Sequence, residues 1–241
     1  MCGGARDGVA RGPDGSLVGV VTRGDPGYFV AADVLPAALL PPLAALFDRL
    51  VGERPGRRGA LREAVVQQVA CCQAVRALVE PLLGAAAFAF RATLFDKSAA
   101  ADWALAWHQD RMVPVVARTD AAGFGPWSTK DDGVHVQPPL AVLQQLLAVR
   151  LDLDGSGPAN GGLQVVPGSH AAGLLDPGAM TRLAQAGVDV PVVPKHGALC
   201  MRPLLVHASA RSRAAGPRRI VHLEFAPAPL PLPTCYRMCV R

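Results

Sequence analysis

From Gly84 onward the chain breaks into short apolar runs, each closed within a few residues by Gly, Pro, Asn or Asp. The runs 88–95, 103–110, 147–153, 163–166, 188–193, 198–202, 204–207 and 218–225 read as strands. Strands this short cannot bury their apolar faces singly, so they must pair and stack as a sandwich or barrel. The 25 glycines and 22 prolines, about a fifth of 241 residues, supply the turns and disfavour a helical bundle. Helical patterns come first. GYFVAADVLP reads as a strand leading to a helix that Pro36 starts and that Pro41 and Pro42 end or reset. A second helix spans 60–79, where Leu61, Val65, Val69, Cys72, Val75 and Val79 recur at spacings of three and four, and Pro81 and Gly84 close it. Helices followed by strands predict a mainly β, α+β domain rather than βαβ units.

A composition 51% hydrophobic and 18% charged excludes disorder along most of the length. We read 1–241 as a single domain, with 1–15 a flexible tail and 226–241 an extended, proline-rich tail. The longest uncharged apolar stretch near the start, Val34 to Phe47, is 14 residues with three prolines, against roughly 20 for a spanning helix. The N-terminus has no apolar run behind a basic head, so no secretory signal or membrane partner is expected. The 6 cysteines show no Cys-x-x-Cys spacing, which favours a reducing, cytoplasmic setting over a zinc site or disulfide framework. Net charge is +5, yet the arginines are scattered and the densest group, Arg211, Arg213, Arg218 and Arg219, has no interleaved aromatics. Nucleic acid is not an expected partner.

The sharpest local pattern is Trp107-His108-Gln109-Asp110. On a strand, His108 and Asp110 share a face with Ala104 and Ala106, whose small side chains leave space for a metal. His207, at the end of the apolar run PLLVHASA, offers a second imidazole. Two imidazoles and a carboxylate on one face of an octahedron leave three positions open, which suits non-haem Fe(II). Arg218, 11 residues beyond His207, can hold the far carboxylate of a metal-chelating co-substrate through a bidentate guanidinium pair. Arg219 competes for that role, but alternation groups Arg218 with His222 and Glu224. His135, His170, His196 and His222 are the alternatives to His207. Asn160-Gly161-Gly162 reads as a turn needing left-handed backbone angles before the next strand.

Together, LFDKSAAADWALAWHQD, NGGLQVVPGSH, LCMRPLLVHASA and RRIVHLEFA resemble the phytanoyl-CoA dioxygenase family, in order and over most of the chain. The resemblance implies a double-stranded β-helix (jelly-roll) core with flanking N-terminal helices. It implies an Fe(II)- and 2-oxoglutarate-dependent oxygenase that takes a small-molecule substrate and dioxygen. His108, Asp110 and His207 match the family's iron ligands, and Arg218 matches the partner of the distal 2-oxoglutarate carboxylate. Lys97 and Trp127 match positions lining the co-substrate pocket, while His135 and Gln137, in the variable loop, are read as facing substrate. Halogenating relatives lack the carboxylate, so Asp110 favours hydroxylation or a related oxidation, with release of succinate and carbon dioxide. The competing readings are a non-catalytic jelly-roll binding module and a different metal at the same ligands.

Overall fold

The computed structural model describes residues 24–50, 56–97, 103–119, 121–214 and 216–227. Both predicted tails, 1–15 and all but the first two residues of 226–241, lie outside the described residues. In chain order the elements are β1 (Tyr28–Ala31), α1 (Leu40–Leu50), β2 (Gly56–Arg57), α2 (Ala64–Cys71), α3 (Gln73–Leu83), β3 (Phe88–Asp96), β4 (Leu105–His108) and β5 (Val113–Val115). They continue with β6 (Trp127–Lys130), β7 (Gly133–Val136), α4 (Leu140–Leu143), β8 (Leu147–Asp152), β9 (Leu163–Val165), α5 (Pro177–Ala186), β10 (Ala198–Met201), β11 (His207–Ser209) and β12 (Arg219–Ala226).

A six-stranded antiparallel sheet runs β1-β10-β8-β12-β3-β2, and two three-stranded sheets run β4-β11-β9 and β5-β7-β6. Side chains alternate across β12, and the alternation divides the molecule's labour. Val221, Leu223 and Phe225 face outward with Val149, Leu151 and Leu94, into a core closed by Leu43, Phe47, Val69, Val75 and Val79 from the helices. Arg218, Ile220, His222 and Glu224 face the other way, toward the interior, where they meet their ladder partners Arg150, Thr93 and Arg91. One extra residue on β3, at Phe90, lets Phe225 pair with Ala89 after Glu224 pairs with Arg91.

Several expectations are corrected. The helix predicted over 60–79 is two helices broken at Cys72, whose extended angles (φ −66°, ψ 149°) make it the residue capping α3. The break lets each piece bury its own apolar face, Val66 and Val69 from α2 and Val75, Leu78 and Val79 from α3. Pro81 does not close α3 but sits in its final turn; Gly84, at φ 86°, ends it with an amide bond to the Glu80 carbonyl. Pro41 and Pro42 likewise do not end α1. They occupy its first turn, where amides have no intrahelical acceptor to lose.

The run 188–193 forms only two isolated bridges, Val165 with Asp189 and Ser156 with Val193, because Pro191 and Pro194 remove ladder donors. Leu204 to Val206 are a buried turn, so the strand carrying His207 begins at that residue rather than ending there. The predicted strand over 103–110 is trimmed to Leu105–His108. The hairpin β6–β7, strand β5 and helix α5 were not anticipated. The hairpin turns at Asp131-Asp132-Gly133, where Gly133 stands at φ 126°.

Candidate metal centre

β4 brings in His108, and β11 sets His207 directly opposite it in the ladder. The imidazole centroids are 4.0 Å apart. Between His108 and Asp110, Gln109 faces away from the site, where its side-chain amide bonds the carbonyls of Gly173 and Leu204, both at 2.7 Å, and its oxygen accepts from Arg111 and from the Leu175 amide. All of its capacity is used, which holds its neighbours in place. The Asp110 amide donates to the Pro203 carbonyl at 2.8 Å, tying the carboxylate to the turn that leads into His207. The ligating atoms of His108, Asp110 and His207 all lie within 4.8 Å of one another.

The hydrogen bonds decide the tautomers. His108 Nδ1 is 2.8 Å from the Ala106 carbonyl, and His207 Nδ1 is 2.8 Å from the Leu205 carbonyl. A carbonyl only accepts, so each Nδ1 carries the proton and each Nε2 turns a lone pair toward Asp110. Those Nε2 atoms are 3.9 Å and 3.7 Å from Asp110 oxygens. Two lone pairs and a carboxylate converging on one point repel unless a cation stands between them, and N₂O donors of this kind fit a divalent transition metal. Burial, and then His108, lower the His207 pKa to about 4, so this imidazole is neutral at pH 7 and ready to ligate. Burial pushes the Asp110 carboxyl up, but His207, His222 and His108 together with Arg91 outweigh it and hold the group well below the usual carboxylate range.

Arg218 is buried at the start of β12, where its backbone exchanges hydrogen bonds with Lys97 at 3.2 Å in both directions. It stands four residues, about 13 Å, along the strand from His222, on the same face. Arg219 does not share that interior. It grips Asp154 through Nε at 3.0 Å and Nη2 at 2.7 Å on the other side. Lys97 is 1% exposed; its ammonium donates to Ser209 Oγ at 2.7 Å and to the Ala210 carbonyl, and lies 4.9 Å from the Trp103 ring centre. It therefore clamps the chain just beyond His207.

Trp127, on β6, packs on an apolar cluster with Phe90, Val115 and Val136, under the Arg118 guanidinium at 5.6 Å. His135, on β7, is fully buried and bonds Asp132 at 2.8 Å. Gln137 follows β7, its amide donating to the Pro126 carbonyl and its carbonyl accepting from Gly125. None of these three enters the His108–Asp110–His207 grouping among the described residues.

Sequence alternation placed His222 and Glu224 on the face of Arg218 but gave them no part in the polar floor beneath the triad. His222 Nε2 is 3.9 Å from Asp110 Oδ2, and Asp110, His222 and Glu224 form a second set of ligand-type atoms within 4.8 Å. Arg91 ion-pairs with Glu224 across the β3–β12 ladder and bonds the Met112 carbonyl at 2.7 Å. Burial raises the Glu224 carboxyl to about 7 against the pull of Arg91. Arg150 and Asp152 project inward from β8, both buried. The signal for them was present in the sequence, since charges at alternate positions of LAVRLD break an otherwise apolar run.

The family model of phytanoyl-CoA dioxygenases matches residues 26–220. The chain belongs to the phytanoyl-CoA dioxygenase family. Among solved structures, the apo form of EctD from S. alaskensis is similar with a TM-score of 0.64 at 19% identity, over 84% of this chain and 74% of that one. AviO1 from Streptomyces viridochromogenes Tue57 gives 0.63 at 20%, over 87% and 94%. SnoN, a non-heme alpha ketoglutarate dependent epimerase from nogalamycin biosynthesis, gives 0.62 at 20%, over 85% and 77%. These similarities establish the jelly-roll fold that the strand pattern and the family resemblance led us to expect. No protein of curated function matches the sequence.

Proposed function

We propose that this chain is a non-haem Fe(II)- and 2-oxoglutarate-dependent oxygenase that hydroxylates a small molecule. The observation that carries the reading is the convergence of two Nε2 lone pairs and the Asp110 carboxylate, with both Nδ1 protons tied to backbone carbonyls. His108, Asp110 and His207 would hold the iron, which when bound supplies the dioxygen and C–H chemistry that side chains cannot. In the overall reaction the keto acid loses carbon dioxide and becomes succinate. One oxygen atom of dioxygen goes to succinate and the other to the substrate C–H bond, which becomes C–OH.

The protein's part is binding and orientation. Arg218 takes the distal carboxylate of the co-substrate, and the Lys97 ammonium adds positive potential at the same end of the interior. A buried dianion needs such cations, since an uncompensated charge in a dry interior costs several kcal/mol. Crystals of EctD contain 2-oxoglutarate with 5-hydroxyectoine, and those of HygX from Streptomyces hygroscopicus contain nickel with 2-oxoglutarate, which supports the co-substrate reading. The epimerase SnoN shows that the fold hosts more than one outcome; Asp110 argues against the halogenating outcome, and the product assay below separates hydroxylation from epimerisation. Free cysteines at 71, 72 and 200 agree with a reducing, cytoplasmic setting.

The test is anaerobic addition of Fe(II) and 2-oxoglutarate, followed by the visible charge-transfer band of the chelate. Wild type should show the band, and His108→Ala and Asp110→Ala should abolish it. An unchanged band in both variants rejects the ligand assignment. Substrate-stimulated succinate release with a product heavier by one oxygen atom supports hydroxylation, whereas an isomeric product overturns it.

A further inference from the structure

Three imidazoles surround Asp110, and the hydrogen bonds do not treat them alike. His108 and His207 are each tied at Nδ1 by a carbonyl. His222 instead meets a guanidinium: Arg150 Nη1 is 3.4 Å from its Nδ1. Arginine has donors and no acceptor, so Nδ1 of His222 accepts and its proton sits on Nε2. That Nε2 lies 3.9 Å from Asp110 Oδ2, beyond direct hydrogen-bond reach but close enough for the N–H dipole to act on the carboxylate. The carboxylate therefore faces lone pairs from two imidazoles and a donor from the third.

We infer that His222, held in its Nε2–H tautomer by Arg150, is a positioning residue that orients the Asp110 carboxylate for the metal and is not itself a ligand. The inference rests on the metal-centre reading above and separates the two candidate ligand sets. In the Asp110–His222–Glu224 set, the imidazole presents a proton rather than a lone pair, and Glu224 is engaged by Arg91. In the His108–Asp110–His207 set, both imidazoles present lone pairs. Arg150 is well placed to fix His222. It is directly opposite in the β8–β12 ladder, 8% exposed, and 5.8 Å from the centre of the Phe95 ring, which also meets the His222 ring edge-on at 6.0 Å. Partners that orient metal ligands in this way typically change metal affinity by about 10–100-fold when removed.

Two measurements test it. Nitrogen-15 NMR of the metal-free protein at neutral pH should show Nδ1–H for His108 and His207 and Nε2–H for His222, assigned by loss of each signal pair in His→Gln variants. An Nδ1–H form of His222 overturns the inference. Co(II) is then titrated anaerobically into wild type, His222→Gln and His222→Leu, with circular dichroism showing that each is folded. Gln keeps an N–H near the Nε2 position, whereas Leu keeps the volume without a donor. We expect Gln to bind Co(II) within about threefold of wild type with the same d–d spectrum, and Leu to bind about 10–100-fold more weakly. Wild-type affinity in Leu, or equal losses in Gln and Leu, overturns the positioning role. A changed d–d spectrum in Gln would make His222 a ligand. Failure of wild type itself to bind Co(II) removes the metal-centre reading, an outcome distinct from all the others.

Discussion

Gly161 and Gly59 make a matched pair for asking how tightly the turn before β9 is pressed against the segment that follows His207. Both are left-handed, at φ 66°, ψ 37° and φ 70°, ψ 16°. Alanine at either position bears the same backbone penalty, roughly 1–2 kcal/mol for an L residue in that region. Their surroundings differ. A Cβ on Gly59 would meet Asp132 Cβ at 3.6 Å, an ordinary contact, whereas one on Gly161 would lie 2.5 Å from the Ala210 carbonyl oxygen. That oxygen is backbone, and it also accepts from the Lys97 ammonium, so it cannot swing aside. Overpacking of this kind costs roughly 1–3 kcal/mol further. Urea unfolding of the metal-free proteins should place Gly161→Ala below Gly59→Ala by that amount. Because β11 lies just before Ala210, only Gly161→Ala should also weaken metal binding. Equal stabilities, within about 0.5 kcal/mol, would refute the claim that the turn is wedged against the segment that follows His207.

The remaining expectations concern the interior charges. Burial raises the Asp152 carboxyl from 3.8 to about 6, against the pull of Arg150, Ser156 and Arg218. The folded chain therefore holds that proton more tightly than the unfolded one, and stability falls as pH rises from about 4 to 6, by about 3 kcal/mol in all. Asp152→Asn should lack this fall in denaturation curves taken across that window; an identical pH profile would sink the assignment. Arg218→Met should raise the KM for 2-oxoglutarate by roughly 30-fold or more, the equivalent of about 2 kcal/mol. Arg219→Met, which releases Asp154, should cost about 1 kcal/mol of stability and leave that KM within about twofold. If the two KM values shift together, the division of labour between the arginines is wrong.

What was legible in the sequence follows from period and chemistry. The candidate ligand set was legible mainly through the family resemblance, since a lone His-x-Asp is equally a surface pair and a histidine in an apolar run is usually a core residue. The structure ends β4 at His108, and a bond to the Pro203 carbonyl holds Asp110 beside it. Arg218 was separated from Arg219 by strand parity and by its spacing from His207, and the structure puts Arg219 on Asp154. The helix break at Cys72 was hidden, since its cause is the tertiary gain of laying two apolar faces on one sheet and not any local breaker. The prolines in α1 misled because the same residue ends a helix in its middle and is tolerated at its start. His222 was set aside as an alternative to His207, since its neighbour Arg150 is 72 residues away in the chain and only sheet register brings them together.

β12 carries hydrophobic anchors on one side and ionisable groups on the other, and this makes its alignment self-checking. A slip by a single residue would drive Arg218, His222 and Glu224 under the helices and expose valine, leucine and phenylalanine to the reaction chamber. Misthreaded molecules would thus be unstable as well as inert, so quality control acting on stability alone would clear the cell of inactive enzyme.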